Sequence, residues 1–261
     1  METEKLKGEA EAMLHLQQTI RVDKLSKRFG DFIAVNEISF EVCKGEIFGF
    51  LGANGAGKTT AMRMLCGLSI PSSGNASIAG FDVYKQTEQI KKNIGYMSQK
   101  FSLYEDLTVL ENIKFFGGIY GLSDQQIKNK SEGLITQLGL QKEAKKLVAG
   151  LPLGWRQKLS FSVAVLHEPQ IVFLDEPTGG VDPVTRRQFW ELIYEAAERG
   201  VTIFVTTHYM DEAEYCNRVS IMVDGKIEAL DTPHNLKEKF HATDMDAVFY
   251  QLARGALRMD N

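Results

Sequence analysis

Residues 52–59 constrain the possible fold of this 261-residue chain more than any other segment. They read Gly-Ala-Asn-Gly-Ala-Gly-Lys-Thr, which matches the pattern G-x-x-x-x-G-K-S/T. An apolar run at residues 47–51 precedes them, as expected for a loop that joins a buried strand to a helix. Glycines let such a loop wrap a phosphate group closely, with its amide hydrogens pointing inward. The segment therefore predicts a phosphate-binding loop in an α/β protein.

This loop predicts ATP as the ligand and Mg²⁺ as the cofactor. Lys58 is expected to reach the β- and γ-phosphates, and the hydroxyl group of Thr59 is expected to bind Mg²⁺. A glycine-rich turn that matches by chance is the alternative, and the preceding apolar run argues against it. The predicted nucleotide-binding residues of the loop are Gly52, Ala53, Asn54, Gly55, Ala56, Gly57, Lys58, Thr59 and Thr60.

Three short apolar runs predict the central sheet. Residues 47–51, 171–174 and 201–205 are almost wholly apolar, as in parallel strands that are buried on both faces. Because open α/β sheets bind ligands beyond the carboxyl ends of their strands, the polar residues after these runs are expected to share one site. Those residues are the phosphate-binding loop, Asp175 with Glu176, and Thr206, Thr207 and His208.

The remaining patterns predict two additions to this core. Alternating apolar and polar residues at 20–25 and 33–42 predict an antiparallel β subdomain. Helical periodicity after residue 106, with Thr108 and Glu111 spaced as a capping box, predicts an inserted helical subdomain. A second helix is expected to start at Ser123, with Gln126 three residues on. The predicted fold class is thus α/β, with a P-loop NTPase core and a mostly parallel sheet.

We expect the following division of the chain. A polar N-terminal extension covers residues 1–18, and an ATPase domain covers residues 19–235. The helical subdomain lies within it at about residues 103–167, and a short helical tail covers residues 236–261.

Composition excludes several classes of function. With 30 basic and 34 acidic residues, the formal net charge is −4, so no overall positive field favours nucleic acid, and no nucleic-acid partner is expected. The cysteines, Cys43, Cys66 and Cys216, are odd in number and irregularly spaced, which fits neither a disulfide framework nor a zinc site. They indicate a reducing, cytosolic compartment. The apolar runs are too short to cross a bilayer.

Asp175 and Glu176 follow a predicted buried strand, and their expected roles differ. Asp175 is expected to hold Mg²⁺, because this hard cation takes oxygen ligands. Glu176 is expected to polarise the attacking water as a general base. The alternative is a pair of solvated loop acids, and the preceding apolar run argues against it.

The chain resembles ATP-binding-cassette (ABC) ATPases over residues 20–235. The resemblance depends on an ordered series of motifs: the phosphate-binding loop (Walker A), the strand ending at Asp175 and Glu176 (Walker B), and four further residues. These are Phe29 in Lys-Arg-Phe-Gly, Gln99 in Gly-Tyr-Met-Ser-Gln, Asp182 in Gly-Gly-Val-Asp-Pro, and His208 in Thr-Thr-His.

The resemblance implies a role for each of these residues. Phe29 is expected to stack on adenine, and Gln99 to approach Mg²⁺ and the attacking water. His208 is expected to contact the γ-phosphate, and Asp182 to act across a dimer of cassettes. The implied catalytic group is Glu176, His208, Gln99 and Lys58, and the implied metal ligands are Thr59, Gln99 and Asp175.

The signature segment departs from the family pattern Leu-Ser-Gly-Gly-Gln. Here it consists of Leu151, Pro152, Leu153, Gly154 and Trp155, so the serine hydroxyl and one glycine are missing. In the family this segment binds the γ-phosphate held by the partner cassette. Because proline is tolerated at the first turn of a helix, the positive helix end can still face that phosphate. Either the variant closes the ATP sandwich, or the chain pairs with a cassette that has a full signature.

The resemblance implies a subunit bound peripherally at the cytoplasmic face of the cell membrane. It would pair as a homodimer or heterodimer around two ATP molecules and drive export through a separate integral membrane permease. It is most similar to bacterial cassettes that partner ABC-2-type multidrug export permeases, which implies drugs or other amphipathic small molecules as substrates. The alternative is a soluble ABC ATPase acting on ribosomes or DNA; a P-loop kinase or GTPase would not explain the full motif series.

An aromatic group follows Gln99, where the family contacts its membrane subunit. A core origin is expected for most of it, and only Phe101 and Tyr104 are expected to be exposed and to receive the permease. The group consists of Phe101, Tyr104, Phe115, Phe116 and Tyr120.

Overall fold

The fold is described from a computed structural model that defines residues 18–99 and 103–259, with side chains defined up to residue 253. The strands are β1 (Gln18–Phe29), β2 (Phe32–Cys43), β3 (Ile47–Gly52), β4 (Ser73–Ile78), β5 (Phe81–Asp82), β6 (Ile94–Met97), β7 (Ile171–Asp175), β8 (Thr202–Thr207), β9 (Arg218–Val223) and β10 (Lys226–Asp231). The helices are α1 (Lys58–Leu65), α2 (Thr87–Asn93), α3 (Val109–Ile119), α4 (Asp124–Gln137), α5 (Leu153–Ala164), α6 (Pro183–Glu198), α7 (Pro233–Lys239) and α8 (Met245–Met259). Short 3₁₀ segments cover Val148–Gly150 and Met210–Tyr215.

The central sheet has the strand order β10-β9-β3-β8-β7-β6. Neighbouring strands from β9 to β6 run parallel, and β10 runs antiparallel to β9. Every residue of β3, β7 and β8 is buried, which explains why these strands read as continuous apolar runs. The predicted fold class, α/β with a mostly parallel sheet, is confirmed.

A second, antiparallel sheet has the order β2-β1-β4-β5. Its β1–β2 hairpin is confirmed and turns at Gly30, whose φ of +60° is a left-handed conformation that glycine adopts without strain. Gln18, the last residue of the predicted N-terminal extension, is the first residue of β1. The rest of that extension, residues 1–17, lies outside the described residues.

The helical segment begins as its capping residues predict. Thr108 and Glu111 form a capping box at the start of α3, and Ser123 and Gln126 form one at the start of α4. Helices α3 to α5 bury their own hydrophobic cluster, which includes residues from Leu103 to Leu166. A separate cluster of this kind supports the inserted subdomain, whose boundaries stay a prediction.

The C-terminal helices lie against the central sheet. Helix α7 crosses the predicted boundary between residues 235 and 236. In α8, Met245 and Val248 are buried in the same cluster as Ile221 of β9. In the described parts of the chain, no helix has both the length and the apolar character needed to cross a membrane.

The aromatic group after Gln99 differs partly from expectation. Tyr104 is 47% exposed, as predicted, and Phe101 lies outside the described residues. Phe115 is 42% exposed, so the prediction of a core position for it is wrong. At 3.6 residues per turn, Phe115 lies about 200° around α3 from the buried Ile113. Its ring meets that of Tyr104 edge to face, with centroids 4.9 Å apart.

Candidate active site

The phosphate-binding loop connects β3 to α1 and depends on close backbone approaches. A Cβ atom at Gly52 would lie 2.5 Å from the carbonyl oxygen of Met222. One at Gly57, whose φ is +104°, would lie 2.3 Å from the carbonyl oxygen of Ala34. Glycine is therefore required at both positions. The loop leads directly into α1, so the amide groups of the first helical turn point into it.

Lys58, the first residue of α1, is buried beneath this loop. Its Nζ donates hydrogen bonds to the carbonyl oxygens of Gly52 at 2.8 Å and Ala53 at 3.1 Å. The same atom lies 3.5 Å from Glu176 Oε1. Burial lowers the pKa of Lys58, and the nearby Glu176 carboxylate opposes that effect. The ammonium group is thus held at the mouth of the loop, where it can meet a phosphate.

Asp175 ends β7 and is almost fully buried. One oxygen, Oδ1, accepts hydrogen bonds from Thr206 Oγ1 at 2.7 Å and from Thr59 Oγ1 at 3.2 Å. The register of the parallel sheet places Thr206 of β8 directly beside Asp175. Burial raises the pKa of Asp175, and the two hydroxyl groups partly offset the rise. A carboxylate and a hydroxyl group at this separation are hard oxygen donors that fit Mg²⁺.

Glu176 occupies the centre of the site. Its φ of +49° is unusual for a residue with a side chain, and its amide donates to the carbonyl and hydroxyl oxygens of Thr206, both at 3.1 Å. Gln99 Nε2 donates a 2.9 Å hydrogen bond to Glu176 Oε2, and His208 Nδ1 lies 3.1 Å from the same oxygen. With Lys58, the ends of three strands and the start of α1 thus converge on one carboxylate.

A cleft of about 320 Å³ separates the phosphate-binding loop from Gln99 and Glu176. Its lining includes Phe32, which is 65% exposed, rather than Phe29. Phe29 and Phe32 are paired residues across the hairpin turn, and Lys27 Nζ lies 5.1 Å from the centre of the Phe29 ring. Phe29 is 56% exposed, so it is open to contact with a base, but its predicted stacking stays a prediction. The cleft is lined by Phe32, Ala34, Asn54, Gly55, Gly57, Lys58, Thr59, Thr60, Gln99 and Glu176.

The signature segment starts α5. Pro152 directly precedes the helix, and its carbonyl oxygen accepts hydrogen bonds from the amides of Trp155 and Arg156. Leu151 is buried, while Trp155 is 37% exposed on the first turn. Leu153 lines a second cleft of about 250 Å³ that also borders Glu176. The signature segment therefore reaches the same site from the side of the helical subdomain.

Asp182 caps the start of α6. Its carboxylate accepts hydrogen bonds from the amides of Val184 and Thr185, both at 3.0 Å, and from the Thr185 hydroxyl group at 2.6 Å. These bonds, chiefly that with the hydroxyl group, lower the pKa of Asp182. A Cβ atom at Gly154 would lie 2.3 Å from Thr185 Cγ2, so α5 and α6 touch at this glycine.

The structure brings together Lys58, Thr59, Gln99, Asp175, Glu176 and His208, as their positions after β-strands predicted. Sequence reasoning placed Thr206 at the site but did not predict its hydrogen bond to Asp175 in the neighbouring strand. It missed Phe32, which lies across the turn from Phe29. The available signal for Phe32 was a second aromatic residue in the same hairpin.

Comparisons with known proteins agree with the motifs. The family model described as ABC transporter matches residues 35–179. The probable multidrug ABC transporter ATP-binding protein YbhF of Escherichia coli (strain K12) is 48% identical over 242 residues, which are 90% of this chain and 42% of YbhF. The linearmycin resistance ATP-binding protein LnrL of Bacillus subtilis (strain 168) is 35% identical over 218 residues, which are 83% of this chain and 70% of LnrL.

Solved structures show the same likeness. The structure of an ATP binding subunit of an ABC transporter superposes with a TM-score of 0.81 at 27% identity, over 90% of this chain and 99% of that one. This chain spans less than half the length of YbhF. The resemblance that the motifs indicated is confirmed: the chain belongs to the ABC transporter family and has the α/β ATPase fold of its ATP-binding proteins.

Proposed function

We propose that this chain hydrolyses ATP to ADP and phosphate and thereby drives export through a separate membrane permease. One observation carries the hydrolytic part: Lys58, Gln99 and His208 converge within 3.5 Å on the carboxylate of Glu176, beside a phosphate-binding loop. Phosphoryl transfer asks mainly for positioning and charge stabilisation, and this arrangement offers both.

The residues would divide the work as follows. Glu176 accepts the proton of the water that attacks the γ-phosphorus, while the bond between that phosphorus and the bridging oxygen of ADP breaks. His208 and Gln99 hold the carboxylate from two sides, with His208 facing the γ-phosphate. Lys58 pairs with the β- and γ-phosphates, and the strained backbone of Glu176 keeps its side chain aimed into the cleft.

Thr59, Asp175 and Gln99 would hold the metal ion. The described oxygen donors fit Mg²⁺, because a buried carboxylate and a hydroxyl group already lie side by side. Mg²⁺, when bound, neutralises charge on the phosphates. The adenine base would stack on Phe29, with Phe32 as the second aromatic residue at the cleft.

The partners follow from the surfaces next to this site. Leu153 of the signature segment lines the cleft that borders Glu176, and Asp182 is exposed, which supports a homodimer or heterodimer of cassettes around two ATP molecules. The exposed pair Tyr104 and Phe115 would receive the permease. Such a subunit would lie peripherally at the cytoplasmic face of the membrane. The names of YbhF, a probable multidrug ABC transporter ATP-binding protein, and of LnrL, a linearmycin resistance ATP-binding protein, support drugs or similar amphipathic molecules as substrates.

Phosphate release by the purified chain tests the hydrolytic part. We expect turnover with ATP and Mg²⁺, loss of turnover when EDTA removes the cation, and no turnover by Lys58→Ala. Turnover by Lys58→Ala at the wild-type rate would contradict the proposal.

Purification from membranes with an affinity tag tests the transport part, because an integral membrane subunit is expected to copurify in detergent. Copurification of ribosomes instead would favour the alternative, a soluble ABC ATPase that acts on ribosomes.

A further inference from the structure

Glu212 is a buried carboxylate for which the proposed chemistry has no use. It lies in the 3₁₀ segment Met210–Tyr215, four residues after His208, and none of its surface is exposed. Burying a charge is costly unless hydrogen bonds and an opposite charge compensate it. The partners of Glu212 therefore indicate what the residue holds in place.

The first partner lies beside the proposed general base. Thr178, two residues after Glu176 and itself buried, donates a short hydrogen bond from its hydroxyl group to Glu212 Oε1. Through this bond, the 3₁₀ segment that follows His208 is fastened to the loop that follows Glu176. The two loops leave neighbouring strands, β7 and β8, and Glu212 lies between them.

The second partner is Arg186, in the first turns of α6. Its Nε lies 3.7 Å from Glu212 Oε1, and its Nη1 donates to Asp211 Oδ2 at 3.2 Å. The Arg186 guanidinium also stacks on the ring of Tyr209, 4.5 Å from its centroid. The Arg186 amide in turn donates to the carbonyl oxygen of Asp182, the residue that caps α6.

The Tyr209 ring completes the connection, because its centroid lies 4.1 Å from that of the His208 ring. A continuous series of contacts thus runs from Thr178 through Glu212, Arg186 and Tyr209 to His208. Both ends lie next to the 3.1 Å approach of His208 Nδ1 to Glu176 Oε2. Displacing Glu212 would loosen the link between the two loops beyond the ends of β7 and β8 and lengthen that approach.

We propose that Glu212 is a positioning residue that holds His208 against Glu176 through Thr178 and through the Arg186–Tyr209 stack. This inference rests on the proposed roles of Glu176 and His208. If the pair of Glu212 and Arg186 only stabilised the fold, a different result would be expected. Loss of the pair would then lower the melting temperature and leave the turnover number of the folded protein unchanged.

Glu212→Gln is the decisive variant, because it keeps the size of the side chain and removes its charge. Glu214→Gln is the matched control, since Glu214 lies in the same 3₁₀ segment but is exposed and pairs with Lys237 at 2.6 Å. We expect Glu212→Gln to lower kcat at least about 10-fold, with KM for ATP within about twofold, since small displacements of catalytic groups are costly. We expect Glu214→Gln to stay within about twofold of wild type in both constants.

A spectroscopic measurement separates positioning from general stability. In the folded proteins, Glu212→Gln is expected to shift the ¹⁵N resonances of the His208 ring, assigned with His208→Ala, and to leave those of the exposed His234 in place. Unchanged His208 resonances together with wild-type kcat would overturn the inference. If Glu212→Gln does not fold, Thr178→Val removes the hydrogen bond between Thr178 and Glu212 without changing any charge, and Thr178→Ser is expected to retain it. Equal kcat for Thr178→Val and Thr178→Ser would also overturn the inference.

If the proposed ATP hydrolysis is itself wrong, the wild-type chain is expected to show no Mg²⁺-dependent turnover, or Glu176→Gln is expected to remain as active as wild type. Loss of activity by Glu176→Gln, with full activity of Glu212→Gln, would retain the proposed function and reject only the positioning role.

Discussion

The side-chain amide of Gln99 donates a 2.9 Å hydrogen bond to Oε2 of Glu176, the same oxygen that His208 Nδ1 approaches to 3.1 Å. Gln99 lies two residues beyond β6 and His208 one residue beyond β8, on opposite sides of β7. The carboxylate is therefore held from both sides of the strand that carries it. A general base benefits from such restraint, because proton transfer requires a fixed distance to the attacking water.

Glu176→Gln is expected to lower the turnover number by roughly 10²- to 10⁴-fold, because an amide cannot accept the proton of the attacking water. The affinity for ATP is expected to stay within about threefold, since the phosphate-binding loop and Lys58 are unchanged. Phosphate release and isothermal titration calorimetry measure the two quantities. The control is Glu191→Gln on the exposed face of α6, and loss of ATP binding by Glu176→Gln would contradict the assignment.

Phe29→Ala is expected to raise KM for ATP roughly 5- to 150-fold with little change in kcat, since stacking on a base contributes about 1 to 3 kcal/mol. Phe29→Trp is expected to preserve the affinity, because it keeps an aromatic face. The paired measurement is Phe32→Ala, because Phe32 lines the cleft. A large loss of affinity with Phe32→Ala and none with Phe29→Ala would move the adenine contact to Phe32.

Local sequence signals predicted the strands and helix starts well. The runs that became β3, β7 and β8 are buried on both faces, so their apolar character is continuous. The capping boxes at Thr108 and Ser123 depend on side chains three residues apart, and such short-range chemistry is visible in one sequence. Their positions after apolar runs likewise placed Lys58, Asp175 and Glu176 at one edge of the sheet.

Features that depend on strand register and tertiary contacts were not predictable in this way. Thr206 contacts Asp175 only because β8 pairs in parallel with β7 in one register. The exposure of Phe115 depends on the rotation of α3 against its neighbours. Several acidic residues lie close together around Glu212. Nothing in the sequence indicates that Glu212 is the acid that is fully buried and bonded to Thr178.

Tyr104→Ala and Phe115→Ala are each expected to weaken copurification with a permease and to leave the ATPase activity of the isolated chain within about twofold of wild type. The two rings form an exposed edge-to-face pair whose apolar area is available for burial by a partner. The measurement is the ratio of permease to cassette in detergent extracts. The control is Tyr250→Ala, an exposed aromatic residue of α8, and equal copurification by all three variants would exclude this surface.

The stability of Glu212→Gln relative to wild type is expected to depend on pH. Burial raises the pKa of Glu212 and Asp211 adds to the rise, while the Thr178 and Thr207 hydroxyl groups and Arg186 oppose it. Because the folded chain then binds this proton more tightly than the unfolded chain, the contribution of Glu212 to stability grows as pH falls towards its ordinary value of 4.5. Glutamine has no such titration.

The melting temperature of Glu212→Gln minus that of wild type should therefore decrease as pH is lowered from 7 to about 5. Circular dichroism melting at each pH provides the measurement, and Glu214→Gln controls for the general loss of an acidic group. A difference that stays constant across this range, or that increases towards low pH, would show that burial does not raise the pKa of Glu212.

Gly154→Ala is expected to prevent pairing of two cassettes while leaving ATP binding by the single chain intact. The added Cβ atom would lie 2.3 Å from Thr185 Cγ2, so Thr185 must turn away and give up its 2.6 Å hydrogen bond to Asp182. Because the signature segment and Asp182 are the proposed contacts with the partner cassette, both would be displaced. In the Glu176→Gln background with ATP, light scattering is expected to give twice the chain mass of 29.2 kDa, and the chain mass alone after Gly154→Ala.

Gly150→Ala is the control, since its Cβ atom would meet open space. Thr185→Ser removes the clashing methyl group and keeps the hydroxyl group, so the pair Gly154→Ala and Thr185→Ser should recover the dimer. Failure of this pair to recover it, with ATP still bound, would show that contact between α5 and α6 does not control pairing.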